Sequence, residues 1–161
     1  MTAVVPVGLV LVGLVLLGVL GAAALRRWFM VVTVAGPSMA PTLSDGDRVL
    51  VRRRTVDSVR RGDIVVLLGP RMPGRGLSAA DFLAGATNDD RPLMIKRVVA
   101  APGDPAPGRP AAVPGDEIIV TGDNESMSFD SRQAGPFEAG GVRGVVVRRI
   151  GTGRPARNAA P

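Results

Sequence analysis

From Ala3 to Leu25 the chain carries no charged residue and is dense in Val and Leu. Helix of that length measures about 34 Å, against about 30 Å for a bilayer's hydrocarbon core, so the segment is long enough to span. Pro6 stands near the start, where a helix tolerates it, and Gly8, Gly13, Gly18 and Gly21 are ordinary in lipid. A cleaved signal peptide is the competing reading, because Ala22-Ala23-Ala24 has the A-x-A form of a cleavage site. Residues 1–6 hold no Lys or Arg, however, and the apolar run exceeds the usual length of an h-region of about 7–15 residues. The expectation is a retained single-pass anchor with its basic flank over residues 1–27. Arg26 and Arg27 follow the span, which by the positive-inside rule argues for a cytoplasmic domain.

Beyond the span, short β-branched runs alternate with turn residues. Strands are predicted over Phe29–Ala35, Arg48–Val51, Ile64–Leu68, Leu93–Ala100, Glu117–Thr121 and Val142–Ile150, each bounded by Gly, Pro, Asp or Asn. Apolar residues do not recur at helical spacing over any long stretch; a short helix capped by Ser78 is predicted over Ser78–Ala86. Strands without interleaved helices give an all-β fold, an antiparallel sandwich or barrel, over residues 28–150. Gly69–Pro92 and Ala101–Asp116 read as irregular, and residues 151–161 as a disordered tail.

The chain has no His and no Cys. That removes a His general base, a thiol nucleophile, zinc ribbons and iron–sulfur ligation, so no metal and no cofactor are expected. Basic residues outnumber acidic ones, 20 to 14. They are scattered and only five aromatic residues accompany them, so a nucleic-acid platform is not indicated; an anionic lipid surface explains the charge at least as well. Every basic residue except Lys96 is Arg. Lys differs from Arg chiefly in its ability to lose a proton when buried. Lys96 lies in Leu93-Met94-Ile95-Lys96-Arg97-Val98-Val99-Ala100, where an inward orientation would lower its pKa by desolvation and make it a general base; an exposed strand lysine is the alternative. Two serines sit in turned settings: Ser38 in Gly36-Pro37-Ser38-Met39-Ala40-Pro41-Thr42-Leu43, and Ser128 in the run Gly122 to Arg132. Either segment alone is equally an ordinary loop.

Four ordered blocks give these residues a context. The chain resembles the type I signal peptidases, membrane serine proteases with a Ser/Lys dyad, in Gly36–Leu43, in Arg61-Gly-Asp-Ile-Val-Val-Leu67, in Lys96-Arg-Val-Val-Ala-Ala-Pro-Gly-Asp104, and in Gly122-Asp-Asn through Asp130-Ser-Arg132. The resemblance covers residues 5–150, the anchor included. It implies Ser38 as nucleophile, Lys96 as general base, Ser128 as the hydroxyl that orients the lysine, and Asp130 with Arg132 as charges bracing that site. It further implies Met39 beside the dyad and the Ser38 N–H as an oxyanion donor. Some members carry a hydroxyl as second donor where this chain has Gly36, so that side-chain donor is missing here. The resemblance also implies a departure: a large β insertion found in some bacterial members between the third and last blocks cannot fit between Asp104 and Gly122.

The function implied is removal of signal peptides from exported preproteins, after small residues, by a cell-membrane enzyme whose domain faces away from the cytoplasm. That orientation is set against Arg26-Arg27, which lie instead at lipid headgroups beside Trp28 if the family rule holds. A nearer rival is a dedicated maturation peptidase of the same superfamily acting on one substrate, such as a nickel superoxide dismutase precursor. The others are a repressor-type self-cleaving domain, which lacks the span and the last block, and a non-catalytic membrane-anchored β module. Penicillin-binding chemistry places its Ser and Lys three apart on a helix, whereas these stand 58 apart.

Overall fold

The computed structural model describes residues 7–70, 91–108 and 110–152. Helix α1 runs over Val7–Trp28. Its stretch Val10–Trp28 has a mean hydropathy of 1.9 and is long and apolar enough to cross a membrane. From Val10 on its Leu and Val side chains stand exposed, the state expected of a helix whose solvent is lipid.

Seven strands follow: β1 Phe29–Thr33, β2 Asp47–Arg52, β3 Ile64–Leu68, β4 Leu93–Ala100, β5 Glu117–Thr121, β6 Phe137–Glu138 and β7 Val142–Thr152. They form one sheet in the order β1-β2-β7-β3-β4-β5-β6, with every pairing antiparallel, open as a half-barrel. The all-β antiparallel expectation is met. All six expected strands begin and end within two residues of the expected places. β6 was not anticipated: two residues are too short for alternation to register. β7 runs two residues further than expected, so Gly151 and Thr152 are paired with Arg48 and Asp47 and do not belong to a tail. The helix predicted over Ser78–Ala86 and the remainder of the tail fall outside the described residues.

The sheet buries both faces. On one, Val65 and Leu67 of β3 pack with Val98, Ile118, Val120, Phe137 and Val142. On the other, Val66 packs with Val49 and Val51 of β2 and with Val34, Met39 and Leu43 from the segment between β1 and β2. The register pairs Val65 with Lys96, so period-two alternation turns Lys96 onto the first of these apolar faces. The β1–β2 connection is held by its own carboxylates. Gly36 N donates to Asp45 Oδ1 at 2.8 Å, and Ser44 N donates to Asp47 Oδ2 at 2.9 Å. Asp47, almost without exposure, also accepts from Arg149 Nη1 of β7 at 3.1 Å.

β7 crosses β2 closely at Gly144, where a Cβ would overlap the Arg52 carbonyl and a Val51 methyl. Gly144→Ala should therefore lower stability by about 1–3 kcal/mol, the cost typical of overpacking. Denaturant titration of the two proteins in the same detergent checks this.

Candidate active site

Lys96 is the largest side chain in the described structure with essentially no solvent contact, 2% exposed. Its Nζ donates to Ser128 Oγ at 2.8 Å. Ser128 in turn donates its only proton to Asp130 Oδ2, at 2.6 Å. A hydroxyl so committed faces Lys96 purely as an acceptor. It thereby fixes one N–H of the amine and, when the amine is neutral, leaves the lone pair free to point elsewhere. Burial is the main influence on Lys96 and lowers its pKa; the Asp130 charge raises it, and Arg132 lowers it again.

Asp130 has no exposed surface. Besides Ser128 it accepts from Gly122 N at 2.8 Å, from Arg132 Nη2 at 2.7 Å, from Arg132 Nε at 2.9 Å and from Arg132 N at 3.1 Å. Burial pushes its pKa up, but the bonds from Arg132, Ser128 and Gly122 outweigh this and hold it well below the usual carboxylate range. The local fold follows from the same residues. Asp130 caps the four-residue helix α2, Ser131–Ala134, in a capping box closed by the Gln133 side chain. Glu125 pairs with the outer edge of Arg132 at 3.1 Å.

Ser38 reaches this group through its main chain. Its carbonyl accepts from Asn124 N at 3.0 Å. A Cβ built on Gly122 would overlap both that carbonyl and the Ser128 hydroxyl, so both lie against the one Cα that has no side chain. The Ser38 segment and the Lys96–Ser128 pair are thus one residue's width apart. Among the described residues Lys96 makes no hydrogen bond to Ser38 Oγ, its one side-chain bond being that to Ser128. Met39 is wholly buried in the core with Leu43 and Val66. Gly36, at φ +84°, directs its N–H to Asp45.

One interaction escaped the sequence reading. Arg97, beside Lys96 but on the opposite face of β4, grips Asp123 through Nε and Nη2, both at 2.7 Å. Its Nη1 donates to the Gly62 carbonyl at 2.9 Å, and Nη2 approaches Thr42 Oγ1 at 3.5 Å. One guanidinium, itself from the third sequence block, therefore touches the other three. The signal was present as a fork-shaped cation next to the lone lysine, with an Asp after Gly122, but nothing in the spacing said that they meet. A cavity of about 250 Å³ adjoins Arg132, walled by Val99, Ile119, Thr121 and Pro136, and includes neither Ser38 nor Lys96. Among the described residues no cluster of acidic side chains has the make-up of a metal site.

Comparison with known proteins gives a consistent result. A family model described as signal peptidase, peptidase S26, matches residues 7–107. Mitochondrial inner membrane protease subunit 1 of Schizosaccharomyces pombe is 30% identical over 132 residues, covering 76% of this chain and 73% of that protein. The subunit 1 of Mus musculus is 32% identical, covering 74% and 68%. Signal peptidase I of Bacillus licheniformis is 34% identical over 118 residues, covering 62% and 63%.

The Asp130 network makes stability depend on acid. Its folded-state pKa lies below the ordinary 3.8, so on acidification the unfolded chain takes up the proton first, and stability present above about pH 4 is lost as pH falls through the folded value. Asp130→Asn should be less stable than the parent at neutral pH by about 3 kcal/mol, the low end for a broken buried pair because Arg132 keeps access to water. The difference should shrink below pH 4, as read from denaturant midpoints across pH 3–7.

Proposed function

The chain belongs to the signal peptidase family, peptidase S26, and from that premise we propose that this membrane-associated peptidase removes N-terminal signal peptides from exported preproteins with Ser38 as nucleophile and Lys96 as general base. The observation that carries the reading is the state of Lys96: the only lysine of the chain, buried, with its amine steered by a hydroxyl whose own proton is committed to Asp130. In this reading neutral Lys96 takes the proton of Ser38 Oγ as the oxygen attacks the scissile carbonyl. The Ser38 N–H meets the developing oxyanion. The ammonium so formed then protonates the leaving amine, and a water deprotonated by the same amine releases the acyl group. Ser128 and Asp130 act as positioning residues, with Arg132 balancing the carboxylate. The substrate is a preprotein with small residues, typically Ala, one and three places before the cut.

The relatives include proteins named as inner membrane protease subunits as well as signal peptidase I, and both names describe proteases. The dedicated maturation of one precursor stays the second reading.

Ser38→Ala, Lys96→Ala and Lys96→Arg should each reduce cleavage of a preprotein by about 10³-fold or more, since Arg keeps the charge without serving as a base. Mapping products by mass spectrometry with the detergent-solubilised enzyme tests both mechanism and substrate class; an active Lys96→Arg enzyme overturns the dyad. The rate of the parent should rise with pH through one deprotonation below the ordinary lysine value of 10.5, because the lowered pKa frees the amine earlier. A flat profile contradicts a titrating lysine. In intact cells, external protease should digest the domain without lysis; full protection places it inside and favours the dedicated role.

A further inference from the structure

No linker separates span from sheet: α1 ends at Trp28 and β1 begins at Phe29. The Trp28 carbonyl accepts from Arg53 N at 2.8 Å, and Phe29 is registered opposite Arg52. The end of β2 is therefore fixed against the foot of the helix. Arg52, Arg53 and Arg54 are brought by this closure to Arg26 and Arg27, 26 residues earlier in the chain. All five side chains are exposed. None has an acidic partner among the described residues, although Arg97, Arg132 and Arg149 elsewhere each hold a carboxylate. Next to them the outward face of β1 carries Phe29 and Val31, with Thr33 at its far end. Met30 and Val32 pack into the core, which turns Phe29 and Val31 to the other side; Val31 is 48% and Trp28 58% exposed.

Unpaired guanidinium groups repel one another unless an anion lies between them, and their planar forks match phosphate oxygens two at a time. An apolar strand face and a lone tryptophan beside such a ring suit the boundary between headgroups and acyl chains. A nucleic acid would fit the charge but not the place, since the ring surrounds a segment that enters the bilayer, and a single tryptophan is no stacking track.

We infer that Arg26, Arg27 and Arg52–Arg54 form a collar that gathers anionic phospholipid headgroups around the foot of α1, with the outer face of β1 lying on the bilayer. The collar acts whichever way the domain faces, and it is independent of the peptidase reading.

Trp28 is the only tryptophan and stands within the collar, so it reports its own lipid surroundings. The full chain is reconstituted in phosphatidylcholine vesicles containing a minor fraction of phosphatidylglycerol, and Trp28 fluorescence is quenched by a nitroxide near the headgroup of one lipid or the other. At equal mole fraction, labelled phosphatidylglycerol should quench several-fold more efficiently, each arginine contributing at most about five-fold in local enrichment at low salt. High salt should erase the preference. The triple variant R52Q/R53Q/R54Q, with its fold checked by circular dichroism, should lose most of it, whereas R52K/R53K/R54K should keep it. Equal quenching by the two lipids, a preference unchanged in the Gln variant, or a preference lost equally in the Lys variant overturns the collar.

Discussion

A carboxylate without solvent contact is tolerable only when its charge is met from several sides, and Asp130 is met by two backbone N–H groups, a hydroxyl and a guanidinium. Much of the site's geometry follows from satisfying that one group. The Gly122 N–H must point inward, which brings the turn after β5 under the Ser38 carbonyl. The Ser128 proton must be surrendered, which turns that hydroxyl into an acceptor for Lys96. Arg132 must fold back over its own helix, which closes the polar cluster from solvent on one side. The same arrangement tempers Lys96, since a carboxylate largely neutralised by Arg132 stabilises an ammonium less than a bare one would.

A second ion pair governs how the parts are held together. Arg97 and Asp123 stand on the far side of β4 from Lys96 and reach the β1–β2 segment at Thr42 and the turn before β3 at Gly62. Successive residues of a strand point to opposite faces, so Lys96 and Arg97 divide the work: one side chain enters the apolar interior, the next stitches the surrounding loops into position. Neighbouring positions in sequence thus serve the buried polar cluster and the loop scaffold separately.

Much of this was legible in the chain. Val-rich runs with turn residues between them announced the strands, because alternation and β-branching are local properties. Lys96 stood out because arginine had replaced lysine everywhere else, and the four blocks brought Ser38, Ser128, Asp130 and Arg132 into one hypothesis. Less could be read where the cause is not local. The length of β7 depends on pairing with Asp47 and Arg48 a hundred residues earlier, and β6 exists only because Glu117 and Ile118 offer it an edge. The Arg97 clamp and the Gly122 cradle are meetings of four distant segments. Met39 was expected beside the dyad on the strength of the resemblance; its burial with Leu43 and Val66 shows a core function that the sequence pattern also permits.

The strand order has a consequence for biosynthesis. β7 stands between β2 and β3, yet it is the last strand of the sheet to leave the ribosome. Until it arrives, the β1–β2 pair that carries Ser38 and the β3-β4-β5 meander that carries Lys96 have no strand joining them, and each leaves a long row of main-chain donors and acceptors unpaired. Insertion of β7 closes both edges at once and unites the two halves. In a nascent chain still being made at the membrane these two parts therefore lack the strand that pairs with both, and the sheet becomes continuous only after synthesis of nearly the whole domain.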